Sequence, residues 1–284
     1  MKNNAIIIAA GTSSRFVPLS YEKPKGLTEV KGEVLIERQL CQLREAGVDD
    51  ICVVVGYMAE KFAYLCDKFG VELVFNEDYA EYNNISSLVR VCDRLDNTFI
   101  CCSDHYYTGN PFAESLTDSA YSALFAKGET KEYCLCLDER DFINEVTVGG
   151  RDAWYMAGYA YFSSEFSFPF KRLLAEAYRE EKNRQQYWED VYINHINELP
   201  LMRAVKMQDD MLYEFDTLDE LRLFDKTYIA NARSVVIKKI SEQLKCKEKE
   251  LHAFRKSASA EGKVFLFKCR SNDYKYANGE IVLC

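Results

Sequence analysis

The chain has 284 residues, 48% hydrophobic and 29% charged, a mixture typical of a globular protein with one large domain or two small ones. Its formal net charge of -9 argues against general nucleic-acid binding, which needs a basic surface, but allows one small anionic ligand held by a few local cations. The N-terminal apolar run is too short for a signal peptide, and no run approaches the roughly 20 residues that span a bilayer. We therefore expect neither nucleic acid nor a membrane as a partner.

The cysteines indicate the cellular compartment in which we expect the protein. There are 11 of them, and most lie in apolar stretches, such as Cys52 in ICVVVG and the pair Cys101 and Cys102 in FICCSD. Because no two are spaced as C-x-x-C, the sequence does not predict a zinc site. We interpret them as reduced, buried thiols of a cytoplasmic protein.

The first hundred residues alternate between strand and helix patterns. The run AIIIAA is continuously apolar and ends before Gly11, as in a strand buried on both faces. The next segment, VLIERQLCQLREAG, has apolar residues at helical spacing, with Gly47 as its C-cap. The alternation continues through the strand DICVVVG, the helix AEKFAYLCDKFG, the strand VELVF, the helix NISSLVRVCDRL and the strand TFICC. This pattern predicts a parallel sheet with helices on both faces and a ligand at the carboxyl ends of its strands.

The pattern changes after Asp104, which follows the last of these strands. Four strands without long helices between them are predicted for AYSALFA, EYCLCLD, FINEVTV and MAGYAYF. Helices are then predicted over residues 164–182 and from Tyr187, with late strands at MRAVKM and MLYEF. The segment TLDELRLFDKTYIANA predicts an amphipathic helix with Thr217 as N-cap and Glu220 completing a capping box. The fold class is therefore α/β, with a mixed, mainly parallel sheet.

The C-terminal residues 232–284 predict a small extension behind a domain of residues 1–231. SVVIKKISEQLKCKEKELHAF is a Lys- and Glu-rich stretch with a helical pattern. KVFLFKCRSNDYKYANGEIVLC predicts a hairpin with its turn at residues 271–273.

The opening segment AIIIAAGTSSRFVPLSYEKPKGL carries a small-residue turn directly after the first strand. Such turns approach phosphate groups, yet GTSSRF matches neither the dinucleotide fingerprint nor the P-loop. Arg15 and Lys25 place two cations beside backbone N–H groups at Gly11, Thr12 and Ser13, and we expect this combination to cradle a triphosphate. The alternative is a polar loop whose arginine serves solubility.

Several motifs carry a family resemblance. The pattern A-A-G-x-x-x-R followed by P-K resembles the signature of nucleoside-triphosphate transferases that make sugar nucleotides and related activated alcohols. The segments GYMAEKF, VFNEDYAEYNNISSL, QQYWEDVY and YEFD, with the strand end at Asp104, resemble bacterial CTP:phosphocholine cytidylyltransferases over about residues 5–230. Ser13 stands where many relatives have Gly, and Tyr133 where the choline-type relatives tend to have Trp. The resemblance implies a Rossmann-like, three-layer α/β/α nucleotidyltransferase fold.

The reaction implied by the resemblance is transfer of CMP from CTP to phosphocholine, giving CDP-choline and pyrophosphate. The phosphate of phosphocholine would attack the α-phosphorus in line, so catalysis would consist of positioning and charge neutralisation. Arg15 would bind the β- and γ-phosphates, and Lys25 would stabilise charge on the α-phosphate. A Mg²⁺ ion would be held by Asp104 and Asp216, with Glu214 in place of Asp216 only if the strand register shifts.

The resemblance also implies which residues surround the two substrates. The nucleotide would lie against Ala9, Ala10, Gly11, Thr12, Ser13, Asn84 and Ser87, the last two beside the cytosine edge. A quaternary ammonium group has no hydrogen-bond donor, so aromatic faces and carboxylates must bind it. These groups would be Tyr133, Tyr187, Trp188, Glu189 and Asp190. The alternatives are that one Asn of the NN pair is only an N-cap, and that the aromatic pair belongs to the core.

Other functions remain open at this point. The nearest alternative is the same reaction on phosphoethanolamine, 2-aminoethylphosphonate or a sugar 1-phosphate. A primary ammonium would prefer carboxylates and a sugar more Asn, Gln and Glu, whereas the Tyr187–Trp188 pair favours choline and Tyr133 weakens that preference. A regulatory module that binds nucleotide without catalysis is a further alternative. The segment KVFLFKCRSNDYKYANGE weakly resembles the first hairpin of choline kinases, which some bacteria fuse behind the cytidylyltransferase, but the phosphate loop and catalytic acids of a kinase are absent from the sequence.

Overall fold

The computed structural model describes residues 2–113, 116–257 and 262–284. Contacts group the chain into two compact units. The sheet unit comprises the chain up to Gly11 together with Ile36–Tyr213, and the loop-and-tail unit comprises Thr12–Leu35 and Glu214–Cys284. The opening loop with Arg15 and Lys25 is therefore grouped with the C-terminal residues. The boundary predicted at residue 231 stays a prediction about independent folding.

The strands and helices follow the α/β pattern in chain order. The strands are β1 (Asn4–Ala9), β2 (Glu29–Val30), β3 (Glu33–Val34), β4 (Asp50–Val55), β5 (Glu72–Phe75), β6 (Thr98–Cys102), β7 (His105–Tyr107), β8 (Ser119–Leu137), β9 (Ile143–Phe162), β10 (Met202–Lys206), β11 (Leu212–Glu214), β12 (Leu251–Lys256), β13 (Val264–Cys269), β14 (Asn272–Ala277) and β15 (Glu280–Leu283). The α-helices are α1 (Leu35–Glu45), α2 (Tyr64–Phe69), α3 (Ile85–Arg90), α4 (Ser164–Arg179), α5 (Trp188–Asn194), α6 (Leu218–Phe224), α7 (Thr227–Ala230) and α8 (Val235–Gln243).

The sheet unit is built on seven strands in the order β10-β8-β9-β6-β1-β4-β5. Strand β1 pairs in parallel with both β4 and β6, so that Ile7 lies opposite Val53 on one side and Cys101 on the other. Strand β9 is antiparallel to both of its neighbours. Ala5, Ile6 and Ile7 are all fully buried, as expected for a strand covered on both faces. The predicted mixed, mainly parallel sheet is confirmed.

The prediction of four separate strands after Asp104 is wrong. β8 and β9 are two long strands that pair with each other over most of their length. Their pairing shifts register at several points, including between Ala126 and Glu129, which marks bulges in the ladder. The breaks in the hydrophobic alternation that suggested separate strands coincide with these irregular stretches. A bulge changes which face a side chain points to without ending the strand.

Three predicted helices are also shorter than expected. The segment AEKFAYLCDKFG contains a 3-10 turn at Ala59–Phe62 before α2, and NISSLVRVCDRL contains α3 followed by a 3-10 turn at Cys92–Arg94. Helix α4 ends at Arg179, three residues before the predicted end. Apolar residues at helical spacing predict which face is buried, but they do not distinguish a continuous helix from two short turns.

The loop-and-tail unit contains α6–α8, the small hairpin β2–β3 and an antiparallel sheet in the order β12-β13-β14-β15. The capping box of Thr217 and Glu220 at the start of α6 is confirmed. The helix predicted over TLDELRLFDKTYIANA is divided, because α6 ends before Asp225 and α7 begins at Thr227.

The tail also differs from its prediction. Only α8 is an α-helix within the Lys- and Glu-rich stretch, whose end forms β12, and the turn between β13 and β14 lies at residues 270–271 rather than 271–273. The likeness of this region to the first hairpin of choline kinases stays a prediction.

Opening-loop residues are held by tail residues within the loop-and-tail unit. The Tyr21 hydroxyl donates to the carbonyl of Val264 at 3.1 Å, and the Glu22 carboxylate accepts from the backbone N–H groups of Val235 and Val236 at 2.9 and 3.1 Å. The Ser234 hydroxyl also donates to Glu22. Glu22 therefore caps the N-terminus of α8, where exposed N–H groups favour an anion.

The cysteines are all free thiols, as predicted, but they are not all buried. Cys41, Cys66, Cys136 and Cys284 are exposed. Among the described residues, no helix is both long enough and apolar enough to cross a membrane.

Candidate active site

The turn after β1 is shaped by a close approach of two backbone segments in the sheet unit. The carbonyl of Ala10 accepts a hydrogen bond from the N–H of Tyr57 at 3.0 Å. A Cβ added at Gly56 would lie 2.6 Å from Tyr79 and 2.9 Å from the Ala10 oxygen, so only glycine fits at this position. Sequence reasoning missed this support, although the glycine that ends DICVVVG was visible as its signal.

Beyond Ala10 the turn is open to solvent. Gly11 and Thr12 are exposed, and within residues 2–113 the backbone N–H groups of Gly11, Thr12 and Ser13 have no hydrogen-bond partner. Ser13 has φ 48° and ψ 50°, a left-handed conformation that glycine adopts at lower cost. Ser13, which departs from the signature that the opening segment resembles, thus stands where the backbone favours Gly.

Lys25 forms the centre of a cluster of charges in the loop-and-tail unit. Its side chain is only 5% exposed, and its Nζ lies 3.2 Å from Glu214 Oε1 and 3.3 Å from Asp216 Oδ1. Arg15 Nη1 contacts the other oxygen of Asp216 at 2.5 Å, while its own side chain is 74% exposed. Two cations therefore meet two carboxylates, and the buried ammonium group of Lys25 is compensated. We call these four residues the Lys25 cluster.

Asp216 lies next to the start of α6, but its carboxylate does not cap that helix. Thr217, the next residue, is the N-cap of α6, and its hydroxyl accepts from Glu220 N. Each carboxylate oxygen of Asp216 instead meets one of the two cations of the Lys25 cluster. Glu214 contacts Lys25 together with Asp216. The sequence suggests Glu214 only as a substitute for Asp216, so sequence reasoning missed that both carboxylates meet Lys25.

Asp104 lies between β6 and β7 in the sheet unit, on a turn fixed by one buried side chain. Gln39, which is 0% exposed, donates through Nε2 to the carbonyls of Cys102 and His105 at 2.8 and 2.9 Å. The turn at the carboxyl end of β6 is therefore rigidly placed. Gln39 lies one turn along the apolar stripe of α1 and was not singled out from the sequence.

Asn84 and Ser87, predicted to read the cytosine edge, have internal partners. The Asn84 amide donates to Glu189 Oε2 at 3.3 Å and accepts from the backbone N–H of Trp188 at 2.8 Å. The Ser87 hydroxyl is buried and accepts from Asn76 at 3.1 Å. Reading of cytosine by these two side chains stays a prediction.

Trp188 is a core residue, which corrects its predicted role in a cation cage. Its side chain is 2% exposed, stacks on Tyr121 at a centroid distance of 5.9 Å and meets the rings of Phe162 and Phe170 edge-on at 5.6 and 6.3 Å. With its ring packed in this aromatic cluster, it presents no free surface to a ligand. The alternative that the aromatic pair belongs to the core holds for this member.

Glu189 is a buried carboxyl group with neutral partners. It accepts from the Tyr121 hydroxyl at 3.2 Å and from Asn84. Burial raises the pKa of Glu189 from 4.5 to about 7, against the opposing effect of these hydrogen bonds. Burial and the neighbouring Glu189 carboxyl raise the pKa of Tyr121 well above 10, so its hydroxyl remains a donor.

The other residues predicted to bind the headgroup form a second, more accessible group around Asp190. The Tyr133 hydroxyl donates to Asp190 Oδ1 at 2.7 Å, and the backbone N–H of Tyr187 donates to Asp190 Oδ2 at 2.8 Å. Tyr187 is 47% exposed, and Asp190 and Tyr133 are half-buried. Burial and the Asp190 carboxylate raise the pKa of Tyr133, which keeps the donor protonated. We call Tyr121, Tyr133, Tyr187, Glu189 and Asp190 the tyrosine–acid cluster.

Comparison with known proteins decides the family. Residues 5–147, half of the chain, match the model of the MobA-like NTP transferase domain. The chain belongs to this family. It is a nucleotidyltransferase, and its full-length relatives place it among the cytidylyltransferases.

Two of these relatives act on different headgroups. The chain is 38% identical to the 2-aminoethylphosphonate cytidylyltransferase of Lancefieldella rimae, over 82% of this chain and 96% of the relative. It is 31% identical to the choline-phosphate cytidylyltransferase of Streptococcus pneumoniae, over 78% of this chain and 96% of the relative. A solved structure of the CTP:phosphocholine cytidylyltransferase of S. pneumoniae superposes with a TM-score of 0.77 over 80% of this chain and 99% of that protein.

Proposed function

We propose that this nucleotidyltransferase transfers CMP from CTP to a small phosphonate or phosphate bearing a primary ammonium group, with 2-aminoethylphosphonate as the expected substrate. One observation carries the choice of headgroup. The residues predicted to bind it contribute two carboxyl groups held by tyrosine hydroxyls, whereas their only tryptophan is packed in the core. A primary ammonium donates hydrogen bonds to carboxylates, whereas a trimethylammonium needs aromatic faces.

The chemical step would be an in-line substitution at phosphorus. An oxygen of the phosphonate attacks the α-phosphorus of CTP and forms the new P–O bond. The bond from the α-phosphorus to the oxygen bridging to the β-phosphate breaks, and pyrophosphate leaves with that electron pair. The attacking oxygen is already anionic, so no general base is required and charge neutralisation dominates.

Arg15 and Lys25 would supply that neutralisation by exchanging partners. In the structure both cations are paired with Asp216, and Lys25 also with Glu214. Phosphate oxygens would replace these carboxylates, with Arg15 on the β- and γ-phosphates and Lys25 on the α-phosphate. Because the side chain of Lys25 is buried, its charge acts on the reacting phosphate with little solvent screening.

Asp216, whose carboxylate this exchange would release, is one of the two predicted magnesium ligands. Asp104 and Asp216 offer hard oxygen donors, the ligand type that Mg²⁺ prefers. A bound Mg²⁺ would neutralise charge on the phosphates. Activity that persists fully in excess EDTA would exclude this part of the proposal.

Phosphocholine is the second candidate, and two observations favour it. Tyr187 is 47% exposed, which leaves aromatic surface for a quaternary ammonium. The S. pneumoniae relative, named for choline phosphate, is 31% identical over nearly its whole length. The two candidates differ in one property, the number of hydrogen bonds that the headgroup can donate.

A substrate panel tests the choice. Pyrophosphate release is measured for 2-aminoethylphosphonate, phosphoethanolamine and phosphocholine, each with the four nucleoside triphosphates. We expect CTP to be preferred and the primary amines to exceed phosphocholine by at least ~10-fold in kcat/KM, a difference of about 1.4 kcal/mol. Equal or higher kcat/KM for phosphocholine would reverse the order of the candidates.

Two substitutions of Tyr133 make the test sharper. Tyr133→Phe removes the hydroxyl that holds Asp190 and keeps the ring, so it should raise KM for the primary amine with little effect on KM for CTP. Tyr133→Trp removes the same hydroxyl and enlarges the aromatic face, so it should raise relative activity with phosphocholine. If both variants leave the ratio of kcat/KM for the two substrates unchanged, the headgroup does not bind at the tyrosine–acid cluster.

A further inference from the structure

A thiol, a carboxylate and an imidazole converge where β6 ends. One donor atom each from Cys102, Asp104 and His105 lies within 4.8 Å of the others. In a tetrahedral zinc site, bonds of about 2.0–2.3 Å put neighbouring ligand atoms roughly 3–4 Å apart. The three side chains therefore need only small rotations to share one ion.

The backbone that presents these side chains is held in place. Gln39 bridges the carbonyls of Cys102 and His105, the two ends of the turn, and is itself completely buried. The Tyr107 hydroxyl lies 3.4 Å from His105 Nδ1 and orients the ring. Outer contacts of this kind fix the ligands of metal sites and strengthen binding.

We propose that Cys102, Asp104 and His105 form a binding site for a thiophilic divalent transition metal, with Zn²⁺ as the best match. Thiolate and imidazole ligands select Zn²⁺ or Co²⁺, whereas Mg²⁺ is bound through oxygen atoms. The Cys102 thiol would lose its proton to the buffer as the metal–sulfur bond forms. The site has no C-x-x-C spacing, which is why its ligands did not stand out in the sequence.

The site would make the enzyme sensitive to zinc. An ion bound by Cys102 and His105 takes Asp104 as its third ligand, so that carboxylate is no longer available to magnesium. This consequence rests on the proposed role of Asp104 in the reaction, whereas the binding site does not. The expected effect is inhibition of Mg²⁺-supported turnover by Zn²⁺.

Cobalt provides a direct readout of the thiolate. The protein is stripped of metal with EDTA, desalted and titrated with Co²⁺, and the thiolate-to-cobalt absorption band in the near ultraviolet is recorded. We expect a band that saturates at one ion per chain and disappears on addition of Zn²⁺. Cys102→Ser should abolish this band, and His105→Gln should weaken Co²⁺ affinity by at least ~10-fold.

Cys136→Ser is the matched control, because Cys136 is an exposed free thiol outside the proposed site. It should retain the full band. Absence of a saturable band in the unmodified protein, or its persistence in Cys102→Ser, would overturn the site. Should Cys102→Ser fail to fold, unchanged Co²⁺ affinity in His105→Gln would have the same meaning.

The inhibitory consequence has its own measurement. The Zn²⁺ concentration that halves Mg²⁺-supported pyrophosphate release should rise at least ~10-fold in His105→Gln relative to the unmodified protein. Saturation of the site by Zn²⁺ without loss of turnover would overturn the inhibition and the proposed role of Asp104, but not the site itself.

Discussion

Lys25 and Glu189 are both buried ionisable residues, and they differ in what surrounds them. Lys25 meets two carboxylates and has a second cation, Arg15, at the edge of its cluster. Glu189 meets an amide and a phenol, both neutral, and burial raises its pKa to about 7. The ion pairs offset the cost of burying the Lys25 charge, whereas neutral partners leave Glu189 divided between its two protonation states near neutral pH.

The different partners of Lys25 and Glu189 suit two kinds of site, one that binds phosphate and one that binds a cation. A phosphate-binding cation must be charged before its ligand arrives, and carboxylates that the ligand can replace provide this. A carboxyl group near its pKa can instead gain charge when a cationic headgroup comes close. We therefore expect removal of Lys25 to affect turnover and removal of the Glu189 charge to affect pH dependence.

The largest expected effect is on turnover. Lys25→Ala should lower kcat by ~10²–10³, since it removes charge stabilisation at the reacting phosphate. Lys127→Ala is the matched control, because Lys127 is 78% exposed and pairs with Asp209 on the surface. Steady-state kinetics on folded protein measures both, and a kcat within twofold of normal in Lys25→Ala would contradict the proposed role.

The second effect is the pH dependence of stability. The pKa of Glu189 is higher in the folded protein than the ordinary value of 4.5, so folding favours its protonated form. The stability advantage of that form is complete below pH 4.5 and is lost as the pH rises towards 7. Relative to Glu189→Gln, the unmodified protein should lose roughly 2–3 kcal/mol of unfolding free energy across this window.

Urea unfolding of both proteins at several pH values measures this difference. Glu189→Gln keeps the shape of the side chain and stays neutral, so it cancels the contributions of all other titrating groups. A difference between the two proteins that is constant with pH would show that Glu189 ionises normally when folded.

A third charged group tests the loop-and-tail unit. Glu22→Ala removes the carboxylate that accepts from Val235 N, Val236 N and the Ser234 hydroxyl at the start of α8. Loss of such a cap should destabilise by ~1–2 kcal/mol. Thermal unfolding measures it, with exposed Glu139→Ala as the control, and equal midpoints for the two variants would contradict the capping role.

The smallest expected effect concerns the backbone of the opening loop. Ser13→Gly should relieve the cost of the left-handed conformation, which exceeds the entropy cost of glycine by at most ~1 kcal/mol. Unfolding midpoints should therefore be equal or slightly higher, and KM for CTP should change little. A large rise in KM would mean that the Ser13 side chain itself contacts the nucleotide.

Sequence reasoning was most successful where one strand or one loop contains the whole signal. The buried strand β1, the exposed turn at Gly11 and the charged residues Arg15 and Lys25 are contiguous, so their pattern and chemistry can be read directly. It was least successful where the signal depends on a distant partner. Trp188 shows this, since an aromatic residue beside two acids fits a cage or a core equally well until its neighbours are known.

The sequence by itself determined the α/β fold, the exposed opening loop with its two cations, and the family, because strand–helix periodicity and short motifs are local properties of the chain. Only the tertiary structure decided which carboxylates meet Lys25, that Glu189 is buried among neutral partners, and that Cys102 and His105 lie beside Asp104. Charge, protonation and metal binding depend on distances of a few ångströms between side chains. The distances between side chains of distant segments are fixed by packing, which no single stretch of sequence specifies.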